Sequence, residues 1–218
     1  MENQFSEKES LDLINQMINS AKNNLQKGTG RFFLLWGYLI SGIAFLNLLL
    51  LLILPDSTSH YAYYAWYISP LGMIPHLLIG RKIMYEQIVK TYVEKIMNKV
   101  WIAFGISIGI LMASMMLASF HGIGNTSMYS FLNWIHWAYL IPFMLILYGF
   151  ALFVSGNAYQ FKPLIIGAFT CWVLTVVIFT LYRTLHFMEF SLGALIIALI
   201  AGYIIPGHML NSKEQKNV

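Results

Sequence analysis

Residues 32–54 read FFLLWGYLISGIAFLNLLLLLIL, a stretch without any charged side chain. An α-helix rises about 1.5 Å per residue, so about 20 apolar residues cross a hydrocarbon core of about 30 Å. Pro55 and Asp56 follow the stretch and end it. The segment therefore predicts a transmembrane helix, and the rest of the chain is interpreted from it.

The composition extends this interpretation to the whole chain. Of the 218 residues, 58% are hydrophobic and only 10% are charged, and the mean hydropathy is +0.66. Soluble domains carry about 25% charged residues, so these values exclude a soluble enzyme, a coiled coil and a disordered chain. Cys171 is the only cysteine, which excludes an intrachain disulfide and a cysteine-based zinc site.

Five further segments have the length and apolarity of a membrane span. The sequence thus predicts an all-α, polytopic transmembrane helix bundle, with a cytoplasmic amphipathic helix and linker over 1–31 and a polar cytoplasmic tail over 211–218. A helical cytoplasmic extension, 81–99, joins the second and third spans within the transmembrane domain, 32–210. The six predicted spans are 32–54, 61–79, 100–120, 132–154, 164–182 and 190–210.

The distribution of basic residues predicts the orientation. Cytoplasmic loops of membrane proteins are enriched in Lys and Arg. Of the 13 basic residues, only Arg183 falls in an outer loop if the N-terminus is inside. No signal peptide is apparent ahead of the first span. We therefore expect a multi-pass protein of the bacterial inner (cytoplasmic) membrane with both termini in the cytoplasm. Its expected partner is the lipid bilayer, and no binding of nucleic acid is expected.

Two segments on the predicted cytoplasmic side have amphipathic helical periodicity, 6–27 and 81–99. Their apolar faces are candidates for docking a cytoplasmic protein, for lying on the membrane surface, or for covering each other. The candidate docking face consists of Leu11, Ile14, Ile18, Leu25, Tyr85, Ile88, Tyr92 and Ile96.

Small residues recur every four positions in the third and sixth spans, a spacing that permits close helix packing in lipid. We expect these to be internal packing faces, and a homodimer through the third span is the alternative. Prolines also kink the second, fourth and sixth spans. The small-residue positions are Gly105, Gly109, Ala113, Ala194, Ala198 and Gly202.

The sequence offers little catalytic chemistry. No charged residue lies centrally in a predicted span, and no hydrolase or phosphate-binding motif occurs, so no catalytic residue and no cofactor is predicted. Neutral imidazoles bind metals and haem iron, but histidine is also an ordinary interface residue. A metal or haem site thus stays an alternative for the four outer histidines, which are His60, His121, His136 and His186.

Several short motifs carry a resemblance. They are EKESL at 7–11, AKNN at 21–24, LWGY at 35–38, FKPLIIG at 161–167 and YIIPGH at 203–208. Together they resemble uncharacterised six-helix inner-membrane proteins of Bacteroidota-type bacteria. The resemblance covers the whole chain and implies the same topology, but it implies neither an activity nor site residues.

Three functions follow from these observations as expectations. The first is a non-catalytic membrane protein with a structural, regulatory or assembly role, exerted through its cytoplasmic helices. The second is a small-molecule transporter or carrier that uses the kinked spans 2, 4 and 6. The third is a metal- or haem-binding membrane enzyme that uses the outer histidines.

Overall fold

The computed structural model describes residues 11–12, 28–55, 57–86, 92–121, 139–181 and 186–216. Every regular element in these ranges is helical, which confirms the all-α class. The elements are α1 (Thr29–Ile53), a 3-10 helix (Ser59–Gly72), α2 (Met73–Glu86), α3 (Tyr92–His121), α4 (Leu140–Ala158), α5 (Lys162–Thr180), α6 (Phe187–Leu199), a π-helix (Ile200–Ile204) and α7 (Ile205–Lys216).

Five helices in the described ranges are long and apolar enough to cross a membrane. They are Thr29–Ile53, Tyr92–Met115, Leu140–Ala158, Lys162–Thr180 and Phe187–Glu214. These correspond to the predicted spans 1, 3, 4, 5 and 6, with ends displaced by up to eight residues. The chain is therefore a helical bundle with the properties of a membrane protein, while the six-span topology stays a prediction.

The predicted second span, 61–79, is not one continuous α-helix. It runs through the 3-10 helix into α2, with Pro70 inside the first and Pro75 near the start of the second. Proline has no N–H to donate and its ring obstructs the carbonyl four residues earlier, so both positions weaken α-helical pairing. The buried side-chain amide of Asn47 on α1 donates to the Ala62 carbonyl at 2.6 Å and ties this segment to the bundle.

Residues 200–204 widen into a π-helix within the last helical run. The N–H of Ile205 bonds to the carbonyl of Ile200, five residues back, and Pro206 follows. A proline ring clashes with the carbonyl four residues before it, here Gly202, and the wider turn relieves that clash. At the same level the backbones of Gly167 and Gly202 meet so closely that a Cβ on Gly167 would overlap Gly202.

An aromatic cluster holds α3 against the bundle. Trp101 lies edge-on to Phe33 of α1, with ring centroids 5.5 Å apart, and Phe104 lies 5.1 Å from Tyr148 of α4. Tyr203 of the π-helix packs at 5.4 Å against Tyr148. The inward face of α3 is thus its aromatic face.

Gly105, Gly109 and Ala113 face away from the other described helices, and their role in helix packing stays a prediction. No atom of the described residues comes within 4 Å of a Cβ built on Gly105 or Gly109, and Ala113 is exposed. The rings of Trp101 and Phe104 turn this stripe to the outside. In the last helical run, by contrast, Ala194, Ala198 and Gly202 are buried.

Candidate functional site at the polar end of the bundle

The N-terminus of α1 is capped by a side chain from the other end of the chain. Gly28, the residue before α1, has φ of 76° and no side chain to cap the helix. Its backbone N–H instead donates to Oε2 of Glu214, on α7, at 3.0 Å. A carboxylate is favoured there because the N-terminus of a helix carries a partial positive charge. Ile83 of α2 fills the space that a Cβ on Gly28 would need.

The side chain of Arg31 lies beside this contact and is only loosely paired. Its guanidinium is 3.9 Å from Oε1 of Glu214, and its side chain is 39% exposed, against 14% for Glu214. A long, half-exposed ion pair contributes little stability. Glu214 therefore serves mainly as the cap, and the guanidinium keeps donors available for another anion.

Gly28 and Glu214 mark one end of the bundle, here called the polar end. Tyr159 and Phe161, in the α4–α5 connection, lie at the same end. The pKa of Tyr159 is raised to about 12, mainly by burial and to a smaller extent by the charge of Glu94, while a side-chain hydrogen bond with Thr29 acts to lower it. Lys213 of α7 places its Nζ 4.8 Å from the centre of the Phe161 ring. These contacts bind the connection to the first and last helices.

Two histidines flank α1 on opposite sides. Trp36 donates from Nε1 to Nδ1 of His76 on α2 at 3.1 Å. The hydroxyl of Tyr38 lies 2.7 Å from Nε2 of His208 on α7. His76 follows Pro75 directly, and His208 lies two residues after Pro206. The two histidines thus join α2 and α7 to the same turn of α1.

An open groove of about 620 Å³ lies along α1, with α2 and α7 on either side. Its α1 residues recur at intervals of three and four, so they form one stripe along the helix. Ile79 contributes from α2 and Asn211 from α7. The lining residues are Arg31, Leu34, Leu35, Tyr38, Leu39, Ile79 and Asn211.

The outer histidines are only partly described. His186 directly precedes α6, and its Nδ1 lies 3.6 Å from Oε1 of Glu189. His60 and His121 lie in described helices but their side chains fall outside the described set, as does all of His136. The described residues contain no group of three or more His, Cys, Asp or Glu that would hold a metal. The metal or haem site stays a prediction.

The candidate docking face is likewise divided. Leu11, Tyr85, Tyr92 and Ile96 are exposed, with 88% exposure at Tyr85 and 77% at Tyr92. Residues 81–86 continue α2 and 92–99 begin α3. The remaining members, which are Ile14, Ile18, Leu25 and Ile88, lie outside the described residues, as does most of the predicted helix 6–27.

No family model, curated protein or solved structure matches the chain. The contact between Gly28 and Glu214 was not predicted from the sequence, because Glu214 falls in the segment interpreted only as a polar tail; residues 211–216 of that segment are the end of α7. One usable signal was present: Gly28 immediately precedes a long helix and has no side chain to cap it.

Proposed function

We propose that this chain is a non-catalytic, six-span protein of the bacterial inner membrane with both termini in the cytoplasm. Its role is structural, regulatory or in assembly, exerted through the helices on the cytoplasmic side. The observation that carries the proposal is the exposure of Tyr85, near the end of α2, and of Tyr92, at the start of α3. Large aromatic side chains turned outward at the polar end of a bundle are typical of contact surfaces.

Site-specific photo-crosslinking in native membranes tests this role. A photoreactive amino acid replaces Tyr85 or Tyr92 in the full chain, and Asn98 is the matched control because it is exposed and polar on α3. We expect both tyrosine positions to capture the same protein and Asn98 to capture none. Crosslinks to lipid alone, or only within the chain, would contradict a protein-docking role.

A carrier of small molecules is a second candidate. Discontinuous helices are frequent where transporters bind substrate, and π-helical turns occur often at functional sites. The 3-10 helix Ser59–Gly72 overlaps predicted span 2, and the π-helix Ile200–Ile204 falls within predicted span 6. The hydroxyls of Ser155 and Tyr203 are buried and have no hydrogen-bond partner in the described part of the chain.

Thiol accessibility in sealed vesicles tests the carrier. A single cysteine replaces Asn47 or Ser155, both fully buried, in a Cys171→Ser background. A carrier exposes such positions alternately, so a membrane-impermeant maleimide would react from both sides. Protection of both positions from both sides would rule out alternating access at this depth.

A further inference from the structure

We propose that the groove on α1 binds one anionic phospholipid, with an acyl chain along the α1 stripe and the phosphate beside Arg31. The bound molecule would be a lipid of the leaflet that borders the polar end of the bundle. The groove has the two properties this ligand requires, an open apolar floor and a basic residue at one end, in the right order along the helix axis.

The floor of the groove is suited to an alkyl chain. From Arg31 to Leu39 the stripe extends about 12 Å at 1.5 Å per residue. Between those ends the floor presents leucines at 34 and 35, while Ile79 and Asn211 stand on the flanking helices. The residues of the opposite face of α1, such as Phe33 and Ile40, are buried in the bundle, so the stripe is the side of α1 that is left for lipid.

The mouth of the groove is suited to an anionic headgroup. Arg31 is 39% exposed and only loosely paired. Lys82 lies three residues after Ile79, which places it on the same face of α2 one turn closer to the polar end, and it is exposed. Glu214 is the opposing charge, but its Oε2 already accepts the Gly28 N–H. The cation that lines the groove is thus Arg31, with Lys82 exposed on the neighbouring helix and one carboxylate already engaged by Gly28.

This combination distinguishes a lipid from other anions. Inorganic phosphate would gain the contact with Arg31 but nothing from Leu34, Leu35 and Leu39. A zwitterionic lipid would gain the apolar contacts, but its own cation would offset the attraction to Arg31 and Lys82. Basic sites between transmembrane helices next to the headgroups are a recurrent way of binding anionic lipids.

Native mass spectrometry of the full chain in detergent tests the proposal. The probes are phosphatidylglycerol and phosphatidylcholine with identical acyl chains. We expect one phosphatidylglycerol per chain, retained at least fivefold more than phosphatidylcholine. Arg31→Gln should abolish that preference. Lys213→Gln is the matched control, because Lys213 is a cation of the same helical end that lies over Phe161 and does not line the groove, and it should keep the preference.

A second variant tests the apolar floor. Leu35→Trp fills the groove and should reduce retention of both lipids, in protein whose circular dichroism and thermal unfolding match the parent chain. Equal retention of both lipids by the parent chain, or equal losses in Arg31→Gln and Lys213→Gln, would overturn the proposal. Displacement of phosphatidylglycerol by millimolar inorganic phosphate would overturn it too, since the site would then recognise phosphate alone.

Discussion

Oε2 of Glu214 accepts a hydrogen bond from the backbone N–H of Gly28 at 3.0 Å, across a separation of 186 residues. The contact closes the last helix on the first. It also supplies the cap that α1 lacks, because Gly28 has no side chain and holds a left-handed conformation that other residues adopt at a cost. This hydrogen bond therefore links the first and last helices at the polar end of the bundle.

Removing the cap should destabilise the protein. Loss of an N-terminal helix cap costs about 1 kcal/mol, so we expect Glu214→Ala to lower the free energy of unfolding by roughly that amount. Glu214→Gln keeps an oxygen that accepts from Gly28 and should retain most of the stability. Denaturant titration of both variants in detergent measures the difference. If Gln were as damaging as Ala, the ion pair with Arg31, and not the cap, would be the stabilising element.

The crossing of α5 with the π-helix should not tolerate a methyl group. A Cβ on Gly167 would overlap the backbone of Gly202, which cannot move aside as a side-chain end would. Overpacking of this kind costs about 1–3 kcal/mol, and we expect Gly167→Ala to lose stability in that range, measured as the free energy of unfolding.

Gly193→Ala is the matched control for this crossing. Gly193 lies in α6, and no atom of the described residues is within 4 Å of its Cβ position. Alanine favours helix over glycine by up to about 1 kcal/mol, so this variant should be neutral or slightly more stable. Equal losses in the two variants would show that the close approach at Gly167 is not what limits stability.

The length and apolarity of the five candidate spans could be predicted, because both are local properties of the sequence and hydrocarbon thickness dictates them. The inward face of α3 could not. Its small-residue stripe and its aromatic face are both compatible with packing, and only the positions of Phe33 and Tyr148 on other helices decide between them. The Glu214–Gly28 cap could not be predicted either, because it joins two residues 186 positions apart that no local pattern relates.

The α4–α5 hairpin contains a strained position that can be relieved. Gln160 has φ of 51°, and the N–H of Phe161 bonds to the Gly156 carbonyl at 2.8 Å, an arrangement in which glycine is the preferred residue. The left-handed conformation costs a non-glycine residue about 1–2 kcal/mol. We expect Gln160→Gly to raise the free energy of unfolding by up to about 1 kcal/mol, the rest being offset by the greater unfolded-state entropy of glycine. A loss of stability would show that the Gln160 side chain itself is required.

Alkaline titration should detect the raised pKa of Tyr159, which lies at the polar end. Burial raises its pKa from 10.0 to about 12, so the folded protein retains this proton at a pH where the unfolded chain has lost it. The stability associated with Tyr159 is therefore complete below pH 10 and declines as the pH rises through about 12.

The ultraviolet absorption of phenolate, recorded for the parent chain and for Tyr159→Phe, isolates this group by difference. We expect the difference to appear near pH 12. Tyr159→Phe should also lose about 1 kcal/mol of folding free energy at neutral pH, because the hydrogen bond with Thr29 is removed.

Thr29→Val is the matched variant, because it keeps the tyrosine but removes its hydrogen-bond partner. Since that hydrogen bond lowers the pKa of Tyr159, the titration midpoint should move upward. A midpoint at pH 10 in the parent chain would mean that Tyr159 is open to water and that the connection does not seal the end of α1.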